Sequence, residues 1–165
     1  MKRIWLVGFL LLIATALIAH PHFQKTTTAK LSEDVEVSLT IVTVPANMDH
    51  VAQIKTGGFA SPGRPKFKAS TNITAGSSNI AAGTYTIGVV KNGADDWTMV
   101  LAPGELSFGE VPDMSQVIKL DSEFWTRPKP VEHLVVDVIP GESQFEGKAV
   151  ILLGFGTMWL QGLIN

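Results

Sequence analysis

Apolar and polar residues alternate in several separate segments of the chain. The segment VEVSLTIVTVP at 35–45 places Val37, Leu39 and Ile41 on one face, with charged and hydroxyl residues on the other. Successive side chains of a β-strand point to opposite sides of the sheet, so a period of two residues is typical of a half-buried strand. The same alternation predicts strands within residues 66–73, 84–90, 97–101 and 132–138. The segment AVILLGF at 149–155 is apolar on both faces and predicts a central strand.

Turn-forming residues separate these segments. Pairs such as Asn92-Gly93 and Pro140-Gly141 supply the backbone freedom that a chain reversal needs. Strands at a spacing of roughly ten residues, with no helical pattern between them, favour an all-β fold. The sequence therefore predicts a single domain that folds as an antiparallel β-sandwich.

The predicted core consists of the apolar positions that share the inner faces of these strands. They are Val37, Leu39, Ile41, Tyr85, Ile87, Trp97, Met99, Leu134, Val136 and Leu152. Between residues 102 and 130 the pattern is weaker, because prolines at 103, 112, 128 and 130 interrupt it. In this region we expect a long excursion with at most one strand, in SQVIKL at 115–120.

The N-terminal residues have the pattern of a secretory signal peptide. Lys2 and Arg3 precede an apolar run at 4–13, and small residues follow at Ala14, Ala16 and Ala19. The run is too short for a membrane-spanning helix of about 20 apolar residues, although a retained anchor is the alternative. We therefore expect a signal peptide at 1–19, a β-sandwich domain at 20–165, secretion or export to the periplasm, and no membrane association of the mature form.

Two cleavage sites fit this leader, and they differ in their chemical consequence. Cleavage after Ala16 uses the small-residue pair Ala14 and Ala16 and leaves Leu17 first. Cleavage after Ala19 leaves His20 first and avoids an exposed apolar terminus. The sequence leaves both sites open.

Charge and cysteine content exclude several classes of function. Loss of residues 1–19 removes two of the 13 Lys and Arg residues and none of the 15 Asp and Glu residues, so the net charge falls from −2 to −4. The remaining cations are scattered, which argues against nucleic-acid binding, because phosphate contacts need clustered positive charge. The chain contains no cysteine, which excludes disulfides, thiol catalysis and thiolate metal sites.

One region resembles a known family of secreted proteins. The run IAAGTYTIGVVKNGADDWTMVL at 80–101 is similar to the central signature of the domain of unknown function 2911 family, and the later strands extend the resemblance over about residues 61–164. The family's Trp-Arg-Thr-Gly-Ala-Asn segment has no counterpart here, since Ser61, Pro62 and Arg64 run directly into PKFKASTNI. The resemblance implies a β-rich secreted domain and assigns no catalytic residue.

The four histidines, His20, His22, His50 and His133, are the candidate metal ligands. If cleavage follows Ala19, the free amine and ring Nδ1 of His20 together with a second imidazole form a three-nitrogen, T-shaped site suited to Cu(II), which resembles the histidine brace of secreted copper proteins. Pro21 has no amide proton to lose and so prevents the alternative site built on deprotonated amides. The second imidazole is His22, His50 or His133; the competing interpretation is four ordinary polar side chains and a frayed terminus.

Trp125, with Phe124 and Arg127 beside it, is a candidate platform for a carbohydrate or peptide, unless one of the two aromatic residues fills the core. No Gly-x-Ser-x-Gly elbow or phosphate-binding glycine loop is present. Three functions therefore fit: a secreted binding or structural domain without catalysis and without a cofactor, a copper-binding protein, or an extracellular copper-dependent enzyme. The partner expected for the first is a small ligand, a peptide or a carbohydrate.

Overall fold

The structure, a computed structural model, describes residues 23–165. The predicted signal peptide at 1–19 lies outside these residues. Nearly all regular elements are β-strands, and none of the helices in the described part of the chain is long and apolar enough to cross a membrane. In chain order the elements are β1 (Gln24–Lys30), β2 (Glu36–Val42), α1 (Met48–Ala52), β3 (Phe59–Ala60), β4 (Lys66–Ala69), β5 (Ile73–Ala75), β6 (Ser78–Ile80), β7 (Gly83–Gly93), β8 (Asp96–Pro103), β9 (Ile118–Lys119), β10 (Asp121–Pro140), a 3-10 helix (Ser143–Phe145) and β11 (Ala149–Ile164).

The larger sheet has seven strands, in the order β1-β2-β4-β7-β8-β9, and β3 makes an additional pairing with β7. All of these pairings are antiparallel. Strand β2 shows why one face of the sheet is buried: Val37, Leu39 and Ile41 point into the core, while the residues between them are partly exposed. The predicted alternation is thus the alternation between the core and the outer face.

The opposite layer is built mainly from one long hairpin, β10 with β11. Val136 pairs with Leu153 and Val138 with Ile151, and all four side chains are buried in the core. The short hairpin of β5 and β6 joins this layer where Thr74 and Asn165 exchange two backbone hydrogen bonds of 2.7 and 2.8 Å. The predicted all-β, antiparallel, sandwich-like fold is confirmed.

Backbone hydrogen bonds join the two layers at both sides of the sandwich. On one side the amide of Leu120 donates to the carbonyl of Met99 at 3.0 Å. On the other side the chain that follows β2 pairs with β10. The amide of Leu134 donates to the carbonyl of Val44, and the amide of Ala46 donates to the carbonyl of Glu132, both at 2.8 Å. This second junction places α1 at one end of the sandwich.

The expectation that residues 102–130 form a long excursion with at most one strand is wrong for the second half of this segment. A loop does occupy 104–117, but β10 begins at Asp121 and continues through Pro128 and Pro130. Proline has no amide hydrogen and is tolerated in a strand where no cross-strand bond is required. The pairing of β10 with β11 shifts register between Thr126 and Val131, so the two prolines lie where the ladder is interrupted.

Nine of the ten predicted core residues are buried, and the tenth, Leu152, is not. Ile151 and Leu153 point into the core instead, and Leu152 lies on the outer face. Because AVILLGF is apolar at every position except its glycine, alternation could not determine which residues of β11 face inward.

Candidate functional site

The structure separates the four candidate metal ligands into two groups. His20 and His22 lie outside residues 23–165, so their role stays a prediction. His50 lies on α1 and His133 on β10, and both are exposed. Among the described residues, no group of three or more His, Asp or Glu side chains is arranged to hold a metal ion.

His133 lies near the start of the described chain. The amide of Thr43 donates to the carbonyl of Phe23 at 2.8 Å, and the next residue, Val44, accepts a hydrogen bond from Leu134 on its other side. His133 itself forms a backbone bridge with Pro45. Phe23 and His133 therefore lie on opposite sides of the segment 43–45, and their backbones are two strands apart.

A cavity of about 220 Å³ opens between α1 and the two layers of the sandwich. Its walls come from α1 and the chain that follows, from β7 and β8, and from β11. The lining includes Val51, Ile54, Val89, Trp97, Leu153 and Met158. Almost all of the exposed wall is therefore hydrocarbon or aromatic.

Helix α1 covers one side of the cavity, and its first turn is held by a cap and by packing. The side chain of Asn47 accepts hydrogen bonds from the amides of Asp49 at 3.0 Å and His50 at 3.3 Å, which caps the first turn. Met48 packs directly against Gly156 of β11, where a Cβ would collide with the methionine side chain. Gly156 also has a φ of 60°, a conformation that favours glycine. These contacts attach the start of the helix to the second layer.

The chain after α1 is attached to β7. The ammonium group of Lys91 donates to the carbonyl of Ile54 at 2.9 Å, and the amide of Gly57 donates to the carbonyl of Lys91 at 2.7 Å. Phe59 and Ala60 then pair with Val90 and Val89 as strand β3. The second wall of the cavity is consequently a strand edge rather than a free loop.

Two polar side chains line the cavity. The hydroxyl of Ser61 donates to the carbonyl of Ile87 at 2.5 Å, which leaves its oxygen able to accept hydrogen bonds. His50 is exposed and also lines the cavity, and an imidazole can donate or accept a hydrogen bond. The arrangement can bind a small apolar molecule and hydrogen-bond a single polar atom of it.

The predicted aromatic platform takes a different form. Phe124 packs against the core, as the alternative interpretation required, and Trp125 points to the other face. Trp125 stacks on Trp159 with ring centroids 6.4 Å apart and an interplanar angle of 19°. The guanidinium of Arg127 lies 4.2 Å from the ring centroid of Trp159. The two rings stack on each other and the cation lies over Trp159, so these three side chains contact one another.

No protein-family model, curated protein or solved structure matches the chain. The resemblance to the domain of unknown function 2911 family therefore stays a prediction.

The sequence patterns predicted the strands that form one wall of this cavity, but not the helix that forms the other wall. Trp97 was expected in the core, where it lies, but its ring also forms part of the cavity wall. Helix α1 was not expected, because five residues are too few to show a helical period. The one local signal is Asn47, a residue favoured at helix N-termini, directly before an acidic first turn.

Proposed function

We propose that this domain is a secreted or periplasmic binding protein without catalysis of its own, and that its ligand occupies the cavity beneath α1. The observation that carries the proposal is the apolar cavity of about 220 Å³ with Ser61 and His50 as its polar lining. Small-molecule sites have this composition: a mainly hydrophobic wall with a few polar groups that fix orientation.

The size of the cavity indicates the class of ligand. An apolar protein cavity of about 150 Å³ can take up benzene, so a volume of about 220 Å³ suits a molecule of roughly nine non-hydrogen atoms. Trp97, Phe155 and Met158 offer aromatic and thioether contacts that favour a flat ring. A compact aromatic compound with one hydrogen-bonding atom is the expected ligand, and indole is a suitable probe.

Val51→Phe tests this site, because the larger side chain would extend from α1 into the cavity. Isothermal titration with indole should show binding to the unaltered domain and a loss of affinity of about tenfold or more in the variant, since close-packed walls cannot accommodate both rings. Ala52→Phe is the matched control: it lies on the same helix, is exposed and does not line the cavity, so its affinity should be unchanged.

Two results would contradict the proposal. One is equal affinity of indole for Val51→Phe and for the unaltered domain. The other is failure of the unaltered domain to bind either indole or xenon, a smaller apolar probe that occupies dry cavities.

Copper binding through a processed N-terminus is the second candidate function, and the position of His133 supports it. Phe23 pairs with Thr43 and His133 with Pro45, so the two residues are about 10 Å apart across the strands and about 7 Å apart along them. A segment of three residues spans at most about 10 Å, and the two imidazole side chains add to that reach, so a terminal His20 could reach His133. We favour His133 over His50 as the second imidazole of the Cu(II) site, and His22 stays an alternative.

The copper proposal is tested with protein beginning at His20 and with the same protein carrying one extra alanine before His20. The addition keeps every side chain and removes the primary amine of His20, so Cu(II) affinity should fall and the paramagnetic spectrum should change. His133→Ala should weaken binding, whereas His50→Ala should not. Identical titrations of the two N-termini would rule the site out, as would an intact mass of the secreted protein that begins at Leu17.

A further inference from the structure

A second concave surface lies on the outer face of the β10–β11 hairpin and shares no lining residue with the cavity. It is an open groove of about 670 Å³. Ile139, Val150 and Leu163 form its apolar floor, and Phe145 closes one end. Ile139 is 48% exposed and Phe145 49% exposed, so much of this apolar surface is in contact with water. We refer to this surface as the hairpin groove.

The groove arises because the hairpin folds back on itself. Val150 and Leu163 lie at opposite ends of β11, yet both line the same groove. The ladder of β10 with β11 is irregular between Thr126 and Val135, opposite Gly154 and Gly156, and Gly156 has a left-handed φ of 60°. The concave shape is therefore part of the fold and not a property of a single loop.

The end of the groove is also well defined. Gly141 permits the chain after β10 to turn tightly, because a Cβ at this position would lie 2.7 Å from the Cβ of Phe145. The amide of Phe145 donates to the carbonyl of Glu142 at 3.0 Å, and its carbonyl accepts from the amide of Lys148 at 2.9 Å. Phe145 is thus exposed although its backbone is fixed.

Carboxylates surround this apolar floor without opposite charges. Asp121, Glu123 and Glu142 line the groove, and its lining includes no Lys or Arg. Within residues 23–165 none of the three has an ion-pair partner; Glu123 accepts one hydrogen bond, from Nε2 of Gln161 at 2.7 Å. The groove thus combines three negative charges with an apolar floor. This combination favours a ligand that is positively charged.

We propose that the hairpin groove binds an extended peptide segment in which Lys or Arg alternates with apolar residues. Side chains of an extended chain point alternately to opposite sides, so one set can cover Ile139 and Phe145 while the other reaches the carboxylates. A small inorganic cation would leave the apolar floor exposed to water. An acidic or purely apolar segment would bury the carboxylates without partners, which is costly. This proposal is independent of the cavity and of copper.

The test uses a fluorescently labelled peptide, Lys-Leu-Lys-Leu-Lys-Leu-Lys, and fluorescence anisotropy with the whole domain. Two variants remove the two features of the groove: Asp121→Asn with Glu142→Gln removes charge, and Ile139→Ser removes apolar floor. Each should raise the dissociation constant about tenfold or more, because both kinds of contact contribute to the same interface. The matched control is Glu33→Gln with Asp34→Asn, the same change of net charge at exposed positions outside the groove, and its dissociation constant should be unchanged.

Two further peptides separate the groove from general attraction to an acidic protein. Lys-Ser-Lys-Ser-Lys-Ser-Lys keeps the charge and should bind at least about tenfold more weakly, and Glu-Leu-Glu-Leu-Glu-Leu-Glu keeps the apolar residues and should not bind. Equal binding of the serine peptide, binding of the glutamate peptide, or equal loss in the control variant would each overturn the proposal. Circular dichroism of every variant establishes that it remains folded, and Val51→Phe, which alters only the cavity, should bind the lysine peptide normally.

Discussion

Gly88 is a residue at which strand β3 approaches strand β7 closely. It lies in the middle of β7 beneath the ring of Phe59, and a Cβ there would lie 2.5 Å from Cζ of Phe59 and 2.9 Å from the carbonyl oxygen of Ala60. The same segment continues to Ser61, which lines the cavity. The absence of a side chain at Gly88 therefore allows β3 to lie against β7 and determines where the cavity wall stands.

Gly88→Ala should lower the free energy of unfolding by about 1–3 kcal/mol, because the added methyl group must displace an aromatic ring and a backbone carbonyl. Gly93→Ala in the same strand is the control, since a Cβ there would meet only the Cβ of Asp96 at an ordinary 3.6 Å. Urea denaturation of both variants measures the difference. Equal stability of the two would show that Phe59 moves aside without cost.

Asp113 provides a residue-scale test of the loop between β8 and β9. Hydrogen bonds from the hydroxyl of Ser115 at 2.7 Å and from its amide at 3.0 Å hold the pKa of the Asp113 carboxyl below its usual range, because both bonds favour the ionised form. Ser115→Ala removes the hydroxyl, so the pKa should rise toward the ordinary aspartate value. An NMR titration of the side-chain carboxyl carbon measures this change; a pKa that stays low in the variant would contradict the role of the hydroxyl.

At the scale of elements, alternation predicted those strands that have one face in the core and one face in solvent. Strand β2 and the second half of β10 belong to this class. Strand β1 was missed, because QKTTTAK contains a single buried residue, Ala29, and no apolar alternation. The candidate site was missed for a related reason: half of its lining residues lie between His50 and Pro62, where α1 and β3 are too short to have a period.

Helix α1 should depend on its N-cap, because an isolated helix of five residues is not stable in water. Asn47→Ala removes the oxygen that accepts from the amides of Asp49 and His50 and should cost about 0.5–2 kcal/mol. We expect faster amide hydrogen exchange at residues 49–54 and weaker binding of indole. Asn47→Asp retains an accepting oxygen and should preserve both properties; equal exchange in the two variants would mean that packing alone holds the helix.

At the scale of the whole molecule, both layers share one continuous hydrophobic core. Phe67 and Ile87 of the larger sheet and Ile151 and Leu160 of the hairpin belong to the same buried cluster. The chain has no cysteine, so this cluster must stabilise the domain without disulfides. Fold class could be predicted from sequence because it depends on many such positions at once, whereas the cavity and the hairpin groove depend on the placement of a few glycines and short segments.

A shared core predicts cooperative unfolding. Far-ultraviolet circular dichroism reports the strands of both layers, and the fluorescence of Trp97 reports the cavity wall. Both signals should show the same midpoint of unfolding in urea. A variant that retains Trp97 and carries phenylalanine in place of the other three tryptophans isolates this signal. Two separate transitions would indicate that the β10–β11 hairpin unfolds independently of the larger sheet.

The position of β1 has a consequence for how copies of the domain behave when they are concentrated. Among the described strands β1 pairs with β2 alone, so it ends the larger sheet and could recruit a strand from a second molecule. Lys25, which also pairs with Asp137 at 3.4 Å, and Lys30 lie near its two ends, and edge-to-edge association of two copies would bring ammonium groups together. Salt screens that repulsion, with a screening length of about 8 Å at physiological ionic strength. Protection of this edge against aggregation should therefore weaken as ionic strength rises.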